Sequence, residues 1–176
     1  QTPGRLNLFK FDKFNFLLDY AHNPSGMRAL QKFSDSFSVD HKIGIIAGIG
    51  DRLENDTIEI GSIAAEMFDE IIIRNDRDLR GKSAEHLINL VKKGIHKVDP
   101  KKIVTLISSE SEAIKKAVEI APENSLIVLC SDSVSDSLDL LKTMKANEEK
   151  SKKNMPRRYK FKSRSITKSK LSDSKI

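Results

Sequence analysis

Short apolar runs alternate with amphipathic stretches along most of the chain, and this alternation constrains the fold more than any other feature. Leu6 to Phe11 and Phe14 to Asp19 read as two strands joined by a tight turn at Asp12-Lys13. Pro24 to Phe37 carries Met27, Leu30, Phe33 and Phe37 at helical spacing. Strand-like runs follow at Ile43 to Ile49, Glu70 to Ile73, Ile103 to Ile107 and Ser125 to Cys130. Between them lie the helix-like stretches Thr57 to Phe68, Ala84 to Lys93 and Glu110 to Ile120, and Ser135 to Lys145 closes the series. Runs such as Ile-Gly-Ile-Ile-Ala-Gly-Ile suit strands covered on both faces, and the intervening helices supply the crossovers that parallel pairing requires. The predicted class is α/β: an open, mostly parallel, Rossmann-like sheet with helices on both faces.

Apolar periodicity stops after Met144, which predicts one domain over 1–147 and a basic Ser/Lys-rich tail over 148–176 that is expected to be disordered. The formal charge of +6 belongs to that tail. From Lys150 to Ile176 there are 11 Lys or Arg and a single acid, Asp173, leaving 20 basic against 24 acidic side chains before it. The body is mildly acidic, so nucleic acid is not the partner its charge predicts. Cys130 sits in an apolar run and reads as a buried, inert thiol in a reducing cytoplasm. No apolar run approaches the roughly 20 residues that cross a bilayer, and no signal-peptide pattern opens the sequence. The chain starts at Gln1 without an initiating Met and is expected to be a piece of something longer.

Three loops at the carboxyl ends of strands carry residues suited to chemistry, and ligands of open α/β sheets bind at such ends. In Asp19-Tyr20-Ala21-His22-Asn23-Pro24 a carboxylate ends a strand and an Asn-Pro pair begins a helix. Asn23 is a natural N-cap and Pro24 a natural first residue, so free amides and a positive dipole end would lie beside His22. The same residues would equally serve as a simple cap with a surface histidine. Gly48-Ile49-Gly50-Asp51-Arg52 ends the next strand; Leu53 breaks the dinucleotide fingerprint, and a surface Asp51–Arg52 turn is the plainer alternative. Arg74-Asn75-Asp76-Arg77-Asp78-Leu79-Arg80-Gly81 concentrates three arginines and two further carboxylates beyond Ile73, groups that grip carboxylates and cationic nitrogens, or form a solvated cluster. His41, His86 and His96 lack metal-ligand spacing, so no metal site is expected, and Ser131-Asp132-Ser133 reads as the cap of the last helix. No Gly-x-Ser-x-Gly elbow appears.

Asp-Tyr-Ala-His-Asn-Pro, preceded by Pro3-Gly4-Arg5-Leu6-Asn7-Leu8-Phe9, resembles the opening of the C-terminal domain of Mur ligases and folylpolyglutamate synthases. Asn7, where peptidoglycan members more often carry glutamate, and Asp-x-Asp-Leu-Arg-Gly look most like the cyanophycin synthetase branch. Gly50, Asp51 and Arg52, with Gly61 in the following helix, also match the family pattern. The resemblance implies a lobe that closes over a P-loop central domain lying upstream. It implies that Asp19 holds the ATP ribose, that His22 and Asn23 lie near the nucleotide, and that Arg5 reaches its phosphates. Asp78 and Arg80 would bind the incoming amino acid, with Gly50, Asp51 and Arg52 as a supporting loop and no residue confidently catalytic. ATP is the implied cofactor, with Mg2+ held mainly by the central domain. The implied reaction activates a carboxylate as an acyl phosphate and joins it to an amine, here arginine onto a poly-aspartate acceptor. Since no Gly-x-x-x-x-Gly-Lys-Ser/Thr is present, residues 1–176 alone are expected to show no turnover. Other Mur or folylpolyglutamate-type ligases remain an alternative, and so does a stand-alone binding module gripping acidic polymers through Lys152, Lys153, Arg157 and Arg158; a homo-oligomer is open.

Overall fold

The computed structural model describes residues 4–131 and 134–154. Pro3, Asp132, Ser133, Arg157, Arg158 and the disorder expected of the tail beyond Asn154 lie outside the described residues. The elements run β1 (Asn7–Lys10), β2 (Phe14–Asp19), α1 (Pro24–Ser34), β3 (His41–Ala47), α2 (Glu54–Met67), β4 (Glu70–Arg74), α3 (Ala84–Val98), β5 (Ile103–Leu106), α4 (Glu110–Ile120), β6 (Ser125–Cys130) and α5 (Val134–Asn154).

The strands form one sheet in the order β1-β2-β6-β3-β4-β5. β1 and β2 make an antiparallel hairpin pairing Asn7 with Leu18 and Lys10 with Asn15, and the remaining pairs are parallel. The central strand β6 is buried at all six positions, as expected of a strand sandwiched between helices. On one face Leu17, Ile46, Ile73 and Val128 pack against α1, α2 and α3 through Met27, Ile63 and Val91. On the other, Phe16, Ile45, Ile72 and Ile127 meet Ala113 and Ile114 of α4 and Leu141 of α5. The open, mostly parallel α/β sheet read from the sequence is the architecture observed.

The ends of elements differ from the sequence reading, most of all at the carboxyl terminus. α5 runs through the expected 147/148 boundary to Asn154. Its last turns carry mostly strong helix formers, so the helix continues where the apolar stripe stops. Ion pairs also tie it down: Lys145 to Glu148 at 2.6 Å, and Lys152 to Asp12 in the β1–β2 turn. Lys145 further sits 5.2 Å from the centre of the Phe11 ring.

α2 and α3 approach backbone to backbone at two glycines. A Cβ on Gly61 would lie 2.2 Å from the Val91 carbonyl oxygen, and one on Gly94 only 1.9 Å from that of Ile58. Ser62 Oγ donates to the Gly94 carbonyl at 3.1 Å across the same contact. Gly94→Ala should therefore push the helices apart and destabilise the domain by about 1–3 kcal/mol, as overpacking does. Urea denaturation followed by circular dichroism reads this as a lower midpoint; an unchanged midpoint would contradict the close approach.

Candidate functional site

Arg5, Asp19, His22 and Asn23 line one groove of about 190 Å³ at the tips of β1 and β2. Asn23 caps α1: its Oδ1 accepts from Gly26 N at 2.7 Å, with Pro24 at the first helical position. Asn23 and Gly26 of this cap line the groove, which places the positive end of α1 at its wall. Asp19 ends β2, where its Oδ2 accepts from Leu6 N at 2.9 Å and its carbonyl accepts from Ser131 N at 3.0 Å. Its other carboxylate oxygen has no partner among the described residues. Leu6 itself is held in the left-handed region at φ 47°, and Gly4 N donates to Asn7 Oδ1 at 2.6 Å. These two bonds pin an unfavourable turn that presents the exposed Arg5 at the groove mouth, where its side chain has no partner among the described residues.

His22 lines that groove and also the adjoining cavity of about 110 Å³, whose walls come from the carboxyl ends of β2, β3, β4 and β6. Its Nδ1 lies 2.8 Å from the Tyr20 carbonyl, so Nδ1 carries the proton and Nε2 is left for a ligand. The Tyr20 ring tilts over the imidazole with centroids 4.6 Å apart. Asp51, Arg52, Asp78 and Arg80 line the second cavity, joined there by Asp76 and Arg74. Arg80 pairs with Asp78 at 2.5 Å, and Asp78 Oδ1 also accepts from Arg80 N, holding Arg80 at φ 49°. As at Leu6, a carboxylate pins a non-glycine residue in the left-handed region.

Gly50 lies behind the cavity, where it lets two loops touch. A Cβ there would sit 2.3 Å from the Leu79 carbonyl oxygen, so only glycine permits the contact. Lys82 Nζ bridges the same loops, donating to the Arg52 carbonyl at 2.9 Å. Asp51 and Arg52 face each other at 3.5 Å. The sequence reading grouped Gly50, Asp51 and Arg52 as a supporting loop, and this geometry braces the 78–80 loop through it.

The arginines of the third motif separate into different roles. Arg74 is 3% exposed and pairs with Glu110 of α4 at 2.9 Å, donating also to the Cys130 carbonyl at 3.1 Å. Arg77 reaches Asp136 of α5 at 2.7 Å. Arg80 pairs with Asp78 of its own loop. Ser131, the one described residue of the expected cap, donates from its hydroxyl to Glu110 at 3.0 Å. The sequence analysis gave no role to Tyr20, Lys82 or Glu110. Tyr20 sat visibly between two motif residues, whereas the partners of Lys82 and Glu110 are distant in sequence and carry no local signal.

Cys130 lines the same cavity, with Sγ 3.6 Å from Met27 Sδ. Burial, then the nearby Asp19 charge, pushes its thiol from 9.0 up to about 12, while Arg74 opposes the shift. Because the folded value is raised, the folded state keeps a proton that the unfolded chain releases first. Stability is thus expected to fall as pH rises from 9.0 towards 12. Iodoacetamide at pH 9 should modify Cys130 only slowly in the native chain and rapidly in urea, as mass spectrometry would show; equal rates would contradict the buried thiol.

The family model for the Mur ligase, glutamate ligase domain matches residues 4–132. Cyanophycin synthetase of Synechocystis sp. is 41% identical over 145 residues, covering 82% of this chain and 16% of that protein. The chain thus spans about one sixth of the length of that relative. A solved UDP-N-acetylmuramoyl-L-alanyl-D-glutamate–2,6-diaminopimelate ligase superposes with a TM-score of 0.68 at 20% identity, covering 84% of this chain and 32% of the other. Mycobacterium tuberculosis folylpolyglutamate synthase complexed with ADP gives 0.63 at 21%, covering 80% and 32%. At such identities the structural likeness speaks for the fold alone.

Proposed function

Since the chain belongs to the Mur ligase, glutamate ligase domain family, we propose that it is the nucleotide- and amino-acid-binding lobe of an ATP-dependent acid–amino-acid ligase. The substrates proposed are arginine and the side-chain carboxylates of a poly-aspartate acceptor, following the similarity to cyanophycin synthetase. The observation that carries this reading is that His22 belongs to both cavities. The groove of Arg5, Asp19 and Asn23 therefore adjoins the cavity of Asp51, Arg52, Asp78 and Arg80.

The groove suits a nucleotide on its own chemistry. The free Asp19 oxygen is an acceptor for sugar hydroxyls, while the α1 amino end and Arg5 offer positive charge to phosphates. ATP would supply the phosphoryl group that activates a carboxylate. Mg2+ would be held mainly by the central P-loop domain. Asp78 and Arg80 form a mixed-charge pair that an amino acid matches in reverse, its carboxylate against Arg80 and its cationic nitrogen against Asp78. Holding the amine and the activated carboxylate in adjoining cavities supplies orientation, which lowers reaction barriers by about 7–11 kcal/mol when geometry is right. A P-loop domain on the same polypeptide would face this edge and complete the site. Asn7, whose Oδ1 accepts from Gly4 N at 2.6 Å, stands where the resemblance favours the cyanophycin branch over peptidoglycan ligases.

In the native-length polypeptide, release of phosphate from ATP should require both L-arginine and a poly-aspartate peptide. Asp19→Asn should raise KM for ATP roughly tenfold, the loss of about 1.4 kcal/mol of charged hydrogen bonding. Asp78→Asn should raise KM for arginine by a similar factor while leaving that for ATP within about twofold. Turnover with lysine or diaminopimelate in place of arginine would contradict the substrate, and Asp19→Asn kinetics matching the parent would contradict the nucleotide assignment.

A further inference from the structure

A parallel strand with apolar side chains on both faces belongs in the interior of a sheet. β5 reads Ile-Val-Thr-Leu, yet it is an edge, bonded among the described residues to β4 alone. Val104 packs on the face of α1, α2 and α3, and Ile107, just past the strand, packs on the face of α4 and α5. Ile103 and Leu106 are left 59% and 51% exposed. Ile107 N donates to the Ile73 carbonyl on β4 at 3.0 Å. Backbone groups alternate in direction along a strand, so those of Ile103, Thr105 and Ile107 turn towards β4 and those of Val104 and Leu106 turn outwards. The outward N–H and C=O groups of Val104 and Leu106 have no partner among the described residues. Natural edges are blunted by charge, proline or a bulge. The opposite edge strand, β1, ends in the exposed Lys10, whereas Ile103 to Leu106 contains neither a charge nor a proline.

We infer that β5 is a self-association edge, paired antiparallel with β5 of a second copy about a two-fold axis between the two Thr105 residues. Val104 of each copy then lies opposite Leu106 of the other, and the outward backbone groups of each such pair exchange both hydrogen bonds. Side chains directly opposite share a face, so Leu106 meets Val104 on one face and Ile103 meets Ile107 on the other. Both exposed apolar residues are thereby covered by apolar residues of the same sequence, as a two-fold contact requires. Charge agrees with this register. Lys101 and Lys102 fall opposite Ser109 and Ser108, and the exposed Glu112, in the acidic first turn of α4, follows beside the exposed Lys101 of the other copy. A parallel copy would set Lys102 against Lys102, and an axis moved to Val104 would set Leu106 against Lys102. It is this self-complementarity that commits the edge to a second copy. The two-fold points the carboxyl ends of the two sheets in opposite directions, so both candidate sites stay open. The association goes beyond the ligase reading and does not depend on it.

A ladder of 4 residues is small against the roughly 1,200 Å² of a stable interface, so a weak dimer is expected, with a dissociation constant on the order of 100 µM. Sedimentation equilibrium of the 176-residue chain should show the average mass rising towards twice that of the monomer between about 10 µM and 1 mM. Leu106→Lys, at an exposed position, should stay monomeric over that range with its urea midpoint unchanged. Thr105→Cys tests the register. Unbonded partners across an antiparallel pair lie about 4.5 Å apart at Cα, within reach of a disulfide, so this variant should oxidise to a linked dimer. Ser38→Cys, exposed on the loop after α1, should not, and the buried Cys130 stays reduced. A monomer at every concentration would overturn the inference. So would association that Leu106→Lys leaves intact, or cross-linking of Thr105→Cys no faster than that of Ser38→Cys. In the native-length polypeptide Leu106→Lys should also weaken self-association; no change there would mean that another segment covers the edge, and the inference fails.

Discussion

One guanidinium organises the edge of the sheet where the site lies. Arg74 ends β4 almost wholly buried, faces Glu110 at the first turn of α4 and donates to the carbonyl of Cys130 at the end of β6. Glu110 in turn accepts the hydroxyls of Ser131 and Ser137, the latter on α5. Four elements thus share one charge centre, and removing either charge would disturb all four. A buried pair of this kind is a weak source of net stability and a strong source of register. Here Arg74 forms part of the wall of the cavity that Asp78 and Arg80 line.

Around that wall the ligand-facing residues are set by strand tips and pinned loops. β2 ends at Asp19, β3 leads to Asp51 and Arg52, and β4 leads to Asp78 and Arg80. Because β6 lies between β2 and β3, residues far apart in sequence reach one crevice outside the strand ends. Leu6 and Arg80 are both held at positive φ by bonds from carboxylates, Asp19 and Asp78, that also face the cavities. The groups offered to ligands therefore double as the supports of the loops that carry them. A ligand bound as proposed would therefore be coupled to the geometry of these loops.

Periodicity made the sheet legible in advance, since β6 and α4 fall on the residues their patterns marked, and Asn23-Pro24 announced the start of α1. Local motifs likewise placed Asp19, His22, Asn23, Asp78 and Arg80 at strand ends, where the structure gathers them. What the sequence hid was pairing over long range. Nothing near Arg74 indicates that it turns inward to Glu110, nor that Arg77 turns outward to Asp136, so three arginines in one motif looked alike. Helix ends were also obscure, because α5 is extended by helix-forming polar residues and by the Lys152–Asp12 ion pair to the β1–β2 turn rather than by apolar spacing.

The account turns on the groove at the ends of β1 and β2 being the nucleotide site. Titrating the isotope-labelled chain with ADP and following its backbone amides tests this directly. If the groove is the nucleotide site, the largest shifts fall on Leu6 and on Tyr20 to Gly26, with the lysines of α5 from Lys142 to Lys153 barely affected. Shifts concentrated on those lysines, with residues 6 and 20–26 unmoved, would mean that the nucleotide binds by charge alone and that the groove is not its site.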